Sequence, residues 1–272
     1  MKKCLIGIVM IAFFLIGCQS KVSEKTVEVV SPLDRLPDNK AGDVVRKAIA
    51  FAGGWEAWDS KENFSFYKKI TQLDSSGAVK RVVKQLHQYD LGDHFRAKMT
   101  WLVDDGNFVI INNGKEAKKY KEGVELTDKK SMNEAWNSSY GSHYVISMPY
   151  KLTDPGVILT YEGIDENVLD KPVHALKVEY AKDAGSTGGM HLWYYYFDKN
   201  TYDLAGNYLD YGEGHSVTTY EVFEDVEGMR FHNRRFSYSS NENKERVLLR
   251  TIYENEEMKF DQNFASNTFL LK

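Results

Sequence analysis

HLWYYYFDKN, at residues 191–200, is the stretch that decides the fold, because it joins an aromatic strand to a turn. Successive side chains of a strand point to opposite faces of the sheet, so Trp193, Tyr195 and Phe197 share one face. Tyrosines and a leucine occupy the other face, although a face open to water would carry polar residues. Either core covers this strand on both faces, or one face lines a cavity that tolerates tyrosine hydroxyls.

Comparable aromatic and β-branched runs fill the chain from Glu62 onward, and turn-forming residues separate them. Asp, Asn and Gly favour these turns because they readily adopt left-handed or Asx-turn conformations; the turns lie at residues 74–77, 104–107, 113–114, 198–200, 212–214 and 241–243. Consecutive hairpins predict an antiparallel sheet. No internal repeat and no Pro- or Ser-rich linker divides this region, which indicates a single domain over residues 40–272.

Two segments depart from the strand pattern. Residues 41–52 place their apolar side chains on one face of a helix and precede two glycines, which predicts an amphipathic helix with a glycine cap. The apolar face fits either a helix that packs on the core or a lid. Residues 127–144 predict a second helix, or a long loop, that covers the sheet.

The N-terminus has the pattern of a secretory signal. Two lysines precede an apolar run over residues 4–16, and this run is shorter than the roughly 20 residues that a membrane-spanning helix needs. Its end, Leu15-Ile16-Gly17-Cys18, resembles the lipobox of bacterial lipoproteins, in which the cysteine receives a diacylglyceryl group and the preceding bond is cut. We therefore expect a lipoprotein signal peptide over residues 1–17 and a lipid anchor on Cys18.

Residues 18–39 are polar, contain two prolines and lack periodicity, so we expect a flexible tether between the lipid and the domain. The lipoprotein resemblance places the protein in the cell envelope. Because Gln19 stands where an aspartate would retain enterobacterial lipoproteins at the inner membrane, we expect the outer membrane, on its periplasmic side. Both cysteines, Cys4 and Cys18, belong to this targeting region, so the mature chain has no disulfide.

The composition excludes several classes of protein. Lys and Arg number 35 against 39 Asp and Glu, a formal net charge of −4, and no basic stripe suited to nucleic acid is present.

The sequence also lacks the common motifs of metal sites and enzymes. The seven histidines have no spacing typical of a metal site, and no GxSxG or phosphate-binding glycine motif occurs. Asp104 and Asp105 adjoin each other on a turn, so they diverge and make a poor acid–base pair. We expect a monomer without metal, cofactor or enzymatic activity.

Several stretches resemble the LolA/LolB-like superfamily of periplasmic lipoprotein carriers, especially its outer-membrane lipoprotein-sorting-like relatives of unknown role in Bacteroidetes. The resemblance rests on a glycine pair after the first helix, a Phe-Arg strand followed by an Asp-Gly hairpin, and a late pair of turns. The corresponding residues are AGGWEAW at 52–58, HFRAKMTW at 94–101, DGNFVII at 105–111, FDKNTYDL at 197–204 and FEDVEGMRF at 223–231.

This resemblance implies a mainly antiparallel β fold with a few helices: a half-open β-barrel of about eleven strands wrapped over helices. In the carriers the concave apolar face receives acyl chains, and Arg96 matches the position where they keep an arginine near the ligand. Together with the aromatic pattern, it leads us to expect ligand contacts at Arg96, Trp101, Phe108, Ile110, Trp193, Tyr195 and Phe197.

The function implied is that of a lipoprotein anchored to the membrane through Cys18 that binds an acyl chain, a lipid or an acylated protein in the concave face, in envelope lipid or lipoprotein sorting. A tethered protein cannot shuttle, so it would act as an acceptor, a sensor or a fixed binding module. The alternative is a glycan-binding or surface-assembly module without catalysis, in which Trp193 and neighbouring tyrosines form stacking platforms.

Overall fold

The structure is a computed structural model that describes residues 31–92, 94–182, 184 and 191–271. The expected signal peptide, Cys18 and the tether up to residue 30 lie outside the described residues. The helices are α1 (Lys40–Phe51), α2 (Trp55–Asp59) and α3 (Lys129–Ile146), with 3-10 helices at Pro32–Arg35 and Tyr150–Thr153. The strands are β1 (Asn63–Leu73), β2 (Val79–Asp90), β3 (Arg96–Val103), β4 (Gly106–Asn112), β5 (Ala117–Lys121), β6 (Val124–Glu125), β7 (Val157–Asp165), β8 (Val173–Tyr180), β9 (Leu192–Asp198), β10 (Leu204–Asp210), β11 (His215–Val226), β12 (Met229–Ser240) and β13 (Arg246–Phe260).

Within the described part of the chain, thirteen strands form one antiparallel sheet in the order β6-β5-β4-β3-β2-β1-β13-β12-β11-β10-β9-β8-β7. Two meanders, β1–β6 and β7–β13, therefore join where the first strand pairs with the last. The outermost strands, β6 and β7, do not pair with each other, so the sheet is open. This confirms the expected half-open, mainly antiparallel β fold with a few helices, with somewhat more strands than expected.

Helix α1 forms where the sequence predicts it. The side chain of Asn39 accepts hydrogen bonds from the first backbone amides of the helix, and the apolar face is buried against β8 and β9. The helix ends at Phe51 and is capped by Ala52; Gly53, the next residue, has a φ of +116°, and a Cβ atom there would lie 2.6 Å from the carbonyl oxygen of Gly228. Of the two roles considered for this helix, the structure shows the one in which it packs on the core.

Helix α3 crosses the concave side of the sheet. It contacts β3, β4 and β5, and from β4 the Asn112 Nδ2 atom donates a hydrogen bond to Ser139 Oγ near the middle of the helix, 3.1 Å away. Its last turns reach β9, because the Tyr144 ring lies 5.8 Å from the Trp193 ring. The predicted cover over the sheet is therefore a helix, and it spans both meanders.

Ordered packing begins before Lys40. Leu36 is buried in the core with α1, and Arg46 donates hydrogen bonds to the backbone carbonyls of Leu36 and Pro37. Residues 31–39 therefore pack on the domain rather than belonging to the tether expected over residues 18–39, because Leu36 removes apolar surface from water there. The described residues belong to one compact unit. None of the helices in the described residues has the length and apolar character needed to span a membrane.

Candidate ligand-binding site

An aromatic cavity of about 190 Å³ lies between the second half of α3 and strands β8 to β10. We call it the aromatic cavity; its residues are Asn137, Tyr140, Gly141, Tyr144, Val145, Asp154, Tyr180, His191, Trp193 and Leu209. An engineered apolar cavity of about 150 Å³ binds benzene, so this space is large enough for a small apolar group. Most of its wall is carbon, and its polar side chains are those of the three tyrosines together with Asn137, Asp154 and His191.

Two tyrosines of this wall, Tyr144 and Tyr180, are neutral, as is Tyr195 behind it. Tyr180 and Tyr144 share a hydroxyl–hydroxyl hydrogen bond, and Tyr195 lies behind Trp193 with its ring stacked 5.7 Å away. Burial raises the pKa of Tyr144, Tyr180 and Tyr195 well above the ordinary value for a phenol. These rings therefore offer an apolar surface with uncharged hydroxyl groups at neutral pH.

Gly141 leaves an opening in the helix wall. It lies in the interior of α3, where a glycine is less favourable than alanine by about 1 kcal/mol. A Cβ atom built at Gly141 would meet no heavy atom within 4 Å, so steric crowding does not account for this glycine. Its missing side chain instead keeps space open toward the aromatic cavity.

A second cavity, of about 260 Å³, lies beside the first, between α3 and strands β1 and β9 to β13. We call it the cationic cavity, because Lys68 and Arg235 both line it. The two cavities share the wall residues Asn137, Gly141, Val145, Trp193 and Leu209. The rest of the cationic cavity is lined mainly by small polar side chains, namely Ser138, Ser142, Asn207, Ser216, Thr218 and Ser237, together with Tyr253.

Lys68 faces helix α3 from the middle of β1. Its Nζ atom donates a hydrogen bond to Ser142 Oγ, 3.2 Å away, and lies 5.1 Å from the centre of the Tyr253 ring. Loss of hydration and the nearby Arg235 lower the pKa of Lys68 from 10.5 to about 7. The lysine is thus poised to gain or lose a proton near neutral pH.

The residues that the sequence predicts to contact a ligand lie in different parts of the structure. Trp193 lines both cavities, whereas Tyr195 and Phe197 are fully buried behind it in the core shared with α1. On the other side of that strand, Tyr194 and Tyr196 pack with residues of the connection between β7 and β8. Core therefore covers β9 on both faces, while Trp193 alone of its three same-face aromatic residues reaches a cavity.

The remaining expected residues lie near the opposite end of the sheet. Trp101 and Phe108 stack with ring centres 5.4 Å apart and line a separate surface depression beside Lys119, and Ile110 is fully buried. Arg96 is exposed and forms an ion pair with Asp90, because it occupies the outward-facing position before Ala97 on β3. None of these four expected residues lines the aromatic or the cationic cavity.

Sequence reasoning missed the residues that build the paired cavities, namely Lys68, Tyr140, Gly141, Tyr144, Tyr180 and Arg235. One signal was available for Lys68. Phe64 and Phe66 occupy the buried face of β1, and strand alternation places Lys68 on that same face. A lysine that continues an apolar stripe of a strand indicates a special environment. Among the described residues, no group of three or more side chains suited to metal ligation is found.

Comparison with solved structures identifies the fold. The chain is similar to a LolA superfamily protein from Nitrosomonas europaea, with a TM-score of 0.57, 10% identity and coverage of 85% of this chain and 97% of that one. It is also similar to a putative outer membrane lipoprotein-sorting protein domain from Vibrio parahaemolyticus, with a TM-score of 0.51, 9% identity and coverage of 84% and 95%. A DUF1329 family protein from Desulfovibrio piger gives a TM-score of 0.54, 9% identity and coverage of 84% and 96%. The molecule is thus a LolA-like open barrel, as the sequence resemblance implied.

A family model matches residues 38–262 of the chain. The chain therefore belongs to DUF6503, a family of unknown function. No curated protein matches the sequence at a significant level.

Proposed function

We propose that this protein is a lipid-anchored envelope protein that binds an apolar ligand, such as an acyl chain of a lipid or lipoprotein, in the concave face of its open barrel. The observation that carries the proposal is the aromatic cavity between α3 and strands β8 to β10. Its walls are mainly aromatic and aliphatic carbon with a few polar side chains, the composition typical of small-molecule sites. Removal of apolar ligand surface from water would supply the affinity, at roughly 25 cal/mol per Å².

The proposed lipid anchor would determine where in the cell the protein binds its ligand. We propose that residues 1–17 are a signal peptide and that lipid on Cys18 holds the domain at the outer membrane, facing the periplasm. The described domain begins at Ser31, so about a dozen residues would separate the lipid from the barrel. A lipid-anchored monomer of this kind would receive or hold a ligand at the membrane, without catalysis and without a cofactor.

The glycan-binding alternative finds no support from the position of the aromatic rings. Tyr195 is fully buried, and the Trp193 ring packs between Tyr195 and Tyr144 beneath α3. Stacking of a sugar requires an accessible ring face, which these residues do not offer as an open platform. We therefore propose the apolar ligand alone.

Substitution of Gly141 tests the proposal. Gly141→Leu places a branched side chain in the opening between the cavities, whereas the matched control Gly141→Ala adds one methyl group where no atom lies within 4 Å. The measurement is uptake of a fluorescent fatty acid or lipopeptide by the delipidated full-length chain. We expect uptake by the natural chain and by Gly141→Ala, and loss of about tenfold in affinity in Gly141→Leu. Absence of uptake by the natural chain would refute the proposal, as would equal affinity in all three proteins.

A further inference from the structure

Two cationic side chains lie near each other on the concave side of the sheet, and no carboxylate balances their charge. Lys68 on β1 and Arg235 on β12 both line the cationic cavity, and the Tyr253 ring lies close to both, 5.1 Å from Lys68 Nζ and 4.7 Å from the Arg235 guanidinium carbon. None of the residues that line this cavity is Asp or Glu. Within the described part of the chain, neither cation takes part in an ion pair. Burial lowers the pKa of His232, and the charges of Arg235 and Lys68 lower it further.

The opposite face of the same strands provides a comparison. Lys69 and Arg234 are the chain neighbours of the two inner cations, and both pair with Glu254, at 2.9 Å and 3.6 Å. Glu254 lies opposite both residues in the strand register. On the outer face, where water already screens charge, Glu254 pairs with both cations. On the inner face no carboxylate pairs with Lys68 or Arg235 among the described residues.

Arg235 is the more deeply buried of the two inner cations. Its side chain belongs to a residue only 7% exposed, and its Nε–H group has no hydrogen-bond acceptor among the described residues. A guanidinium group cannot lose its charge in a protein, so its burial without a negatively charged partner has a high free-energy cost, although the Tyr253 ring lies beside it. Proteins ordinarily pair such groups. The two cations of this cavity thus lack a negatively charged hydrogen-bond acceptor.

We propose that the cationic cavity binds the anionic head group, a carboxylate or a phosphate, of an amphiphile whose apolar part occupies the aromatic cavity. This inference rests on the proposed function, because it specifies the ligand of the same site. Gly141 and Trp193 border both cavities, so one molecule can reach from one to the other.

The groups around the two cations suit an anion. Arg235 presents a planar set of N–H donors that matches carboxylate and phosphate oxygens, and Lys68 adds a compact positive charge. The hydroxyl groups of Ser142, Ser216 and Ser237 line the same space and can each donate a hydrogen bond to an oxygen atom. A neutral head group would gain the hydroxyl contacts but would leave both cations without a counter-charge.

The test compares ligands that share one chain length. Dodecanoate, dodecyl phosphate and dodecanol are titrated separately into the delipidated full-length chain by calorimetry, and inorganic phosphate serves as the probe for a free anion. We expect both anionic amphiphiles to bind at least about tenfold more tightly than dodecanol. We also expect inorganic phosphate to bind much more weakly than dodecyl phosphate, because it lacks the apolar contacts.

Paired variants assign the preference to the cavity. Lys68→Met and Arg235→Gln should each reduce the preference for dodecanoate over dodecanol by about tenfold, whereas the outer-face controls Lys69→Met and Arg234→Gln should retain it. The affinity for dodecanol should stay within about twofold in the two outer-face controls, and circular dichroism spectra that match that of the natural chain show that all four variants are folded.

Each contrary outcome has a distinct meaning. Equal binding of dodecanoate and dodecanol by the natural chain would overturn the inference while leaving the proposed function intact. A preference that survives in both inner variants would place the anion elsewhere and would also overturn it. Binding of inorganic phosphate as tightly as dodecyl phosphate would show a free-anion site and contradict the amphiphile. If neither dodecanol nor the anionic amphiphiles bind, the proposed function itself fails.

Discussion

Replacement of Lys68 by methionine should change how the stability of the protein depends on pH. Burial lowers the pKa of Lys68 from 10.5 to about 7 in the folded protein, whereas the unfolded chain keeps the ordinary value. Between these two values the unfolded chain binds one proton that the folded protein does not. Protonation then favours unfolding, so the natural protein should gain stability as the pH rises from 7.

The size of the effect follows from the same two pKa values. Each unit of difference corresponds to about 1.4 kcal/mol, and Lys68 is half protonated in the folded state at pH 7, so the gain from pH 7 to pH 9 is about 2 kcal/mol. Lys68 is half-buried, and water in the cavity screens its charge, so this value is an upper bound. Burial keeps the pKa of His87 and of His232 well below 6.5, so both histidines stay neutral over this range.

Urea denaturation followed by tryptophan fluorescence at pH 7, 8 and 9 measures the effect. The free energy of unfolding of the natural protein, minus that of Lys68→Met, should rise by up to about 2 kcal/mol over this range. Lys69→Met, on the outer face of β1, should run parallel to the natural protein. If the difference between the natural protein and Lys68→Met stays constant to within about 0.5 kcal/mol, the reasoning about Lys68 burial is wrong.

Three further predictions concern glycines and the anchor. Gly141→Ala should raise the free energy of unfolding by about 0.5–1 kcal/mol in urea denaturation, because it replaces a glycine in a helix interior that has room for a methyl group; a loss of stability would contradict the open space at this position. Gly53→Ala should lower that free energy by about 1–3 kcal/mol, because of the positive φ and the close approach to Gly228, and unchanged stability would refute the tight contact. Cys18→Ser should abolish incorporation of labelled palmitate and release the protein from the membrane fraction after carbonate washing, whereas labelling that persists would place the lipid elsewhere.

The sequence predicted the fold well because local chemistry decides most of it. Asp, Asn and Gly turns between aromatic runs predicted a meander, and apolar periodicity followed by Gly53 predicted α1 where it lies. The boundary at Lys40 was less accurate. Leu36 packs against α1 from outside the periodic segment, and a single apolar residue in a polar stretch gives no signal of that contact.

The site was harder to predict, because strand alternation gives the face of a residue but not its lateral position in the sheet. Trp101 and Phe108 do face the concave side with Trp193, yet six strands separate β3 from β9. Lys68 and Arg235 lie far apart in the chain and approach each other only through the pairing of β1 with β13. The sequence pattern within either strand does not indicate that β1 pairs with β13.

The join between β1 and β13 also sets the order in which the cavity can be completed. Each meander consists of hairpins between strands adjacent in the chain, which form through local contacts and therefore fast. The cationic cavity takes Lys68 from the first strand of one meander, and Arg235 and Tyr253 from the last two strands of the other. A chain interrupted before β13 can form most of its hairpins but cannot bring these three side chains together. Ligand binding by the cationic cavity would therefore report that β13 has paired with β1 and that the two meanders have joined.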